Sequence, residues 1–248
     1  MTTSALIVGS GFERLGLDVV TRSPTKTPYG EPSSPVLTVA IGGARVACIV
    51  RHGEGHTIAP HEINYRANLW ALKERGVRRC IGINTVGAIS SKLVPGELAV
   101  PDQLIDYTHG RAATFDDAKA PVRHIDFTEP FAPVLSGRIA AAIADCGFAV
   151  CRGTYGVTQG PRLETAAEIA RLERDGCAMV GMTAMPEAAL ARELDIDYAI
   201  CAVAVNHAAG RAPDGIGIAT EIERFTDSGL TKAAAVLARL AARLEGAL

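Results

Sequence analysis

Small polar and basic residues stand at the ends of apolar runs in this chain. Ser10 follows Ala5 to Val8 inside Gly9-Ser10-Gly11, and Arg51, His52 and Gly53 follow Arg45 to Val50. Asn84 and Thr85 follow Arg78 to Ile83, while Met182 and Thr183 follow an apolar run that stops at Gly181. Hydroxyls, an amide, a permanent cation and turn N–H groups form a donor set suited to one small tetrahedral anion. Each signal is weak alone. Arg51-His52-Gly53 reads equally well as a solvated surface pair. Gly9-Ser10-Gly11 lacks the third glycine of a dinucleotide fingerprint, where Arg14 stands, and the Gly-Lys-Ser/Thr of a P-loop. No acidic cluster accompanies the set, as metal-dependent phosphoryl transfer would require, so free phosphate fits better than ATP. Glu164 and Asn206 are left as groups able to read the edge of a heterocycle, and Met182 as a soft apolar face.

Strands and helices must bring these groups together. Met179 to Gly210 reads as strand, helix, strand: an apolar run to Gly181, a helix opening at Pro186 and Glu187 near its positive dipole end, then Tyr198 to Val205. In open parallel sheets ligands bind beyond the carboxyl ends of strands, which puts Thr183 and Asn206 beside a ligand. Val36 to Ile41 and Arg45 to Val50 read as a hairpin around Gly42 and Gly43, after a proline-rich loop from Thr27 to Val36. Further strands are expected over Leu98 to Tyr107 and Phe148 to Thr158. Helices are expected up to Leu72, over Ala132 to Asp145 and Ala166 to Arg174, and from Glu221 to Leu248. Glu164, just before the third of these, reads as a helix cap or as a site group. Thr108 to Pro121 is a long irregular loop, a length usually tied to function or mobility.

Composition bounds the answer. A chain of 248 residues, 48% hydrophobic and 21% charged, suits one α/β domain spanning 1–248. No apolar run approaches the roughly 20 residues of a membrane span, and the first residues lack the basic start of a secretory signal. A net charge of −2 offers no basic footprint for nucleic acid. The six scattered cysteines read as reduced core residues in a cytoplasmic protein.

Gly9-Ser10-Gly11, Arg51-His52-Gly53, Asn64 to Asn68, Gly160-Pro161-Arg162 and above all Val180 to Glu187 resemble the trimeric purine nucleoside phosphorylases, on the methylthioadenosine phosphorylase branch. The likeness runs over nearly the whole chain. It implies an α/β fold with a mixed central β-sheet flanked by helices, a homotrimer, and attack of inorganic phosphate on a nucleoside with no metal and no other cofactor. It further implies that Ser10, Arg51, His52, Asn84, Thr85 and Thr183 bind phosphate, and that Met182 lies against the ribose. His56 and Pro60, with His124 of a neighbouring subunit, would border the 5′ substituent, and Leu163 would pack near the base. Ser10 and Asn84 each replace a more usual threonine, and both keep a hydrogen-bonding side chain.

The departures lie at the base. Adenine-specific members carry aspartates at the positions of Asn206 and Ala208 and a serine at that of Glu164. Here Glu164 and Asn206 resemble the inosine and guanosine enzymes. Hypoxanthine presents N1–H to a carboxylate and O6 and N7 to an amide, whereas the bare N1 of adenine would face Glu164 with no proton between them. On the 5′ side, Ile216-Gly217-Ile218 stands where the inosine enzymes use a histidine for the 5′ hydroxyl, which suits a methylthio group. Together these resemble the phosphorylases acting on S-methyl-5′-thioinosine. Arg51, His52 and Thr183 are then expected to orient phosphate, Asn206 to stabilise the leaving purine, and Glu164 to fix N1. His207 either presents its backbone to the base or points into the core, and His61 and His109 read as solvated loop residues. The alternatives are a methylthioadenosine phosphorylase, a general 6-oxopurine nucleoside phosphorylase, or a nucleoside-binding protein without turnover.

Overall fold

The computed structural model describes residues 4–116, 121–213 and 216–244, of which 242–244 are described as backbone alone. Nine strands form one mixed sheet: β1 (Ser4–Val8), β2 (Asp18–Ser23), β3 (Val36–Ile41), β4 (Ala44–Val50), β5 (Arg79–Ala88), β6 (Leu98–Asp106), β7 (Val150–Val157), β8 (Cys177–Gly181) and β9 (Asp197–His207). Their order is β2-β3-β4-β1-β5-β8-β7-β6-β9, and β5 also pairs with β9, so five of them close into a barrel. The helices are α1 (Tyr65–Lys73), α2 (Pro133–Asp145), α3 (Ala166–Arg174), α4 (Ala184–Glu193) and α5 (Ile218–Leu244). This is the α/β fold with a mixed central sheet expected above.

Alternation along the central strands explains why their sequences read as unbroken apolar runs. In β9, Tyr198, Ile200, Ala202 and Ala204 face one core cluster with α1 and α4. Ala199, Cys201, Val203 and Val205 face the other, with α2 and α5. Strands buried on both faces need apolar side chains at every position.

Parallel pairing brings the polar strand ends together. β1 lies between β4 and β5, parallel to both, with Val8 opposite Val50 and Ile83. The residues that follow, Gly9-Ser10, Arg51-His52 and Asn84-Thr85, therefore emerge side by side. β9 runs parallel to β5 on its other edge. Across a bulge at Val86 and Gly87, the last residues of β5 turn to meet β8 antiparallel, Gly87 opposite Val180. Thus β8 and β9 are not the adjacent parallel pair that strand, helix, strand suggests. Thr183 nevertheless arrives beside Asn84 because an antiparallel β8 runs back along β5.

Three local features differ from the sequence reading. β2 was not expected: it is an edge strand that pairs with β3, and most of its side chains are exposed, so it lacks an apolar signature. In α4, Met185 is extended (φ −114°, ψ 138°), so regular helix begins at Pro186, as expected, with the chain bent just before it. The cap of α3 is Thr165, which forms a capping box with Glu168, and this leaves Glu164 out of the helix. All six cysteines are free, four of them buried and Cys146 and Cys151 half-buried.

Candidate active site

A cavity of about 460 Å³ opens where these strand ends meet, a size suited to a small-molecule ligand. Ser10, Arg51, His52, Thr85 and Thr183 line one part of it, and His56, Pro60, Leu163, Glu164, Met182 and Asn206 line the rest. Asn84 lies behind this wall, fully buried; its Nδ2 donates to Thr183 Oγ1 at 2.9 Å. Because Thr183 accepts that bond, its own hydroxyl proton is free to donate to a ligand. Burial lowers the pKa of His52 to about 4, so the ring is neutral near pH 7. Its Nδ1 lies 2.8 Å from the Ile58 carbonyl and must carry the proton, since a carbonyl only accepts. Nε2 is left as an acceptor, able to take a hydrogen bond from a protonated phosphate oxygen.

Arg51 is fully buried, and its charge is already paired. Nε and Nη2 donate to the two carboxylate oxygens of Glu187, both at 2.8 Å, and Nη2 also reaches Asn84 Oδ1 at 3.1 Å. Nη1 donates to the Ile83 carbonyl at 3.1 Å, which leaves one Nη1 hydrogen over. Burial alone would lower the guanidinium pKa, but the Glu187 carboxylate outweighs it and holds the pKa above its ordinary value. Tyr198 donates to the same carboxylate at 2.6 Å. Glu187 read in sequence as a helix-start residue facing a dipole. A carboxylate inside Met185-Pro-Glu-Ala-Ala-Leu190, where almost every neighbour is apolar, was the available sign that it is buried and needs a cation. Gly9 makes room for this pair: a Cβ there would lie 2.7 Å from Arg51 Nη1.

The rest of the cavity has one polar edge and apolar walls. Thr158, which sequence reasoning passed over, donates its hydroxyl to Glu164 Oε1 at 2.5 Å, leaving the other carboxylate oxygen for a ligand. Asn206 is buried, and its Nδ2 lies 2.6 Å from the His207 carbonyl, which directs the amide. Ile58, Ala59, Pro60 and, from α5, Ile222 supply apolar surface. Ile222 and Thr226, four residues apart on one helix face, are further lining residues that the sequence reading did not single out.

Besides Asn84, the expected site residues His207, Ala208, Ile218 and His124 lie outside the lining. His207 is held by Glu221 of α5, whose carboxylate accepts from the His207 backbone N–H at 2.9 Å and lies 2.8 Å from its Nδ1. Ala208 is buried in an apolar cluster with Ile89, Ile169, Leu172 and Val180. Ile218 is half-buried at the start of α5, and His124 is exposed. Of the apolar 5′ segment, Ile216 is exposed as well.

The model of the Phosphorylase superfamily matches residues 3–242. A probable S-methyl-5′-thioinosine phosphorylase of Pseudomonas syringae is 48% identical over 97% of this chain and 98% of its own. The 6-oxopurine nucleoside phosphorylase of Pyrococcus furiosus is 43% identical over 85% of this chain and 81% of its own. Among solved structures, the methylthioadenosine phosphorylase of Schistosoma mansoni, in complex with adenine, superposes with a TM-score of 0.92 at 28% identity, covering 100% of this chain and 93% of that one. A family model matching 3–242 and near half-identity to a curated phosphorylase over almost the whole chain make this chain a member of the Phosphorylase superfamily and an enzyme of the nucleoside phosphorylase type.

Proposed function

We propose that the protein cleaves S-methyl-5′-thioinosine with inorganic phosphate, releasing hypoxanthine and 5-methylthioribose 1-phosphate. The observation that carries this reading is the pairing of Glu164 with Asn206 on the cavity wall. Thr158 occupies one oxygen of Glu164, and the other is an acceptor for N1–H of a 6-oxopurine. An amide at Asn206 can donate to N7 or O6, where negative charge gathers as the base departs. The apolar surface of Ile58, Pro60 and Ile222 suits a methylthio group better than a hydroxyl, and Met182 provides a polarisable face for the sugar. The names of the 48% identical relative from Pseudomonas syringae and of the 6-oxopurine enzyme from Pyrococcus furiosus support the same base.

In the reaction, the bond from the anomeric carbon to purine N9 breaks as a bond from that carbon to a phosphate oxygen forms, through an oxocarbenium-like sugar. Ser10, Thr85 and Thr183 donate to the phosphate, neutral His52 accepts from its remaining O–H, and the last Nη1 hydrogen of Arg51 reaches it from below. Asn84 acts by orienting Thr183. No covalent bond to the protein is required. The chain works as a cytoplasmic homotrimer of single-domain subunits, with His124 of a neighbour completing the 5′ end, and phosphate is its only co-substrate. It takes small molecules and neither nucleic acid nor membrane.

A panel of methylthioinosine, methylthioadenosine, inosine and adenosine, each with and without phosphate, tests the reading. Phosphate-dependent release of hypoxanthine from methylthioinosine should have the highest kcat/KM. Methylthioadenosine cleaved at least as well would overturn the base assignment, inosine cleaved as well would overturn the 5′ assignment, and release without phosphate would overturn the reaction.

A further inference from the structure

Arg111 lies in the irregular segment after β6, outside the cavity lining, yet its side chain touches the segments that build the cavity. Nη1 donates to the carbonyls of Met182 and Met185 at 2.7 and 2.6 Å. Nη2 donates to the Gln159 carbonyl at 2.8 Å. The guanidinium sits over the Tyr65 ring, 5.7 Å from its centroid, and the Tyr65 hydroxyl in turn donates to the Pro60 carbonyl at 2.8 Å. One side chain therefore ties together the Pro60 loop, the segment from Thr158 to Glu164, and the turn carrying Met182 and Thr183.

The chemistry of this contact needs arginine. Several backbone carbonyls converge from different segments, and each requires a donor once it is turned away from water. A planar fork with donors on separate nitrogens can serve two segments at a fixed spacing, whereas a lysine ammonium concentrates its three donors on one atom. A permanent cation against carbonyl dipoles and an aromatic face is compensated without a carboxylate.

We propose that Arg111 is a positioning residue for nucleoside recognition: by bridging Gln159 to Met182 and Met185, it sets the spacing between the base-reading Glu164 segment and the sugar-facing Met182. The proposal rests on the nucleoside reading of the cavity. It predicts a selective effect: of the anion-end residues only Thr183 lies on a segment that Arg111 holds, and Asn84 of β5 anchors its hydroxyl separately, while Ser10, Arg51, His52 and Thr85 hang on β1, β4 and β5, which Arg111 does not touch.

The test is Arg111→Met, which keeps an unbranched stem and removes the donors, measured for methylthioinosine KM, phosphate KM and calorimetric binding of hypoxanthine. Nucleoside KM and the hypoxanthine Kd should rise by roughly 10- to 100-fold, as misplacement of a binding group by about 1 Å produces, while phosphate KM stays within about 3-fold. Arg111→Lys should fall between the two, and it carries the same prediction should the methionine variant not fold. Unchanged nucleoside KM and hypoxanthine Kd overturn the proposal, even with a lowered melting temperature, and so does an equal loss for phosphate and nucleoside. Wild-type protein that binds hypoxanthine without cleaving methylthioinosine refutes the proposed reaction, while the hypoxanthine Kd still decides the role of Arg111.

Discussion

Glu187→Gln tests how the anion end of the cavity is built. Arg51 and Glu187 are both fully buried, and two 2.8 Å bonds join them. Glutamine keeps the shape but has one acceptor oxygen, so either Arg51 Nε or Nη2 must face an amide donor, and Tyr198 loses its carboxylate. Removing one partner of a buried pair costs about 3–5 kcal/mol, because the remaining charge is stranded in a medium that solvates it poorly. Against a total stability of about 5–15 kcal/mol this is a large share, so urea unfolding at pH 7 should show it plainly. Phosphate should then stabilise Glu187→Gln more than wild type, since an anion replaces the missing counter-charge beside Arg51. Phosphate at about 100 times its Kd adds about 2.7 kcal/mol to any folded form that binds it, and the variant should exceed the wild-type gain at equal concentration. The double variant Arg51→Met with Glu187→Leu, which strands no charge, should be more stable than Glu187→Gln alone. A loss below about 1 kcal/mol, or equal protection of both proteins by phosphate, would refute the picture of a neutralised guanidinium beneath the anion site.

Three further outcomes are expected. Glu164→Ser removes the N1–H acceptor and should lower kcat/KM for methylthioinosine by about 10- to 150-fold, the worth of one charge-assisted hydrogen bond, with little loss for methylthioadenosine; parallel steady-state assays check it. His52 has a pKa lowered by burial from 6.5 to about 4, so the unfolded chain binds a proton that the folded chain refuses. Its share of stability is complete above pH 6.5 and should fall by up to about 3 kcal/mol as pH drops toward 4, a decline that denaturant titrations should find reduced in His52→Gln. Gly181→Ala would place a Cβ 2.0 Å from the hydroxyl of the fully buried Tyr155, so the end of β8 must shift. A loss of about 1–3 kcal/mol is expected, together with a raised phosphate KM as Thr183 moves with the strand, and unchanged thermal melting would contradict the tight fit.

Most elements other than β2, and the polar strand ends that line the cavity, were legible in the sequence because their signals are local. Apolar runs ending in Gly-Ser-Gly, Arg-His-Gly and Asn-Thr mark strands whose ends carry polar groups, but the parallel pairing of β1 with β4 and β5 that brings those ends together is a tertiary fact. Glu164, Asn206 and Met182 stood out as types that could meet a heterocycle, Pro60 was implied only by the family resemblance, and all four line the cavity. The partners of these groups were not legible, since each lies far along the chain. Glu187 meets Arg51 across 136 positions, and Arg111 reaches Met182 across 71. A carboxylate near the start of a helix has the same local pattern whether it faces solvent or a buried guanidinium. Likewise, an arginine in a polar loop carries no mark of the carbonyls it will gather. The face of a short segment is equally non-local: Ala208 follows Asn206 by two residues on a bulged strand end, yet it packs into an apolar cluster with Ile169 and Leu172 of α3. Residue chemistry set which ligand groups the chain can meet. Only tertiary packing, which brings distant donors and charges within bonding distance and removes water from between them, decided which of those groups remain free to meet a ligand.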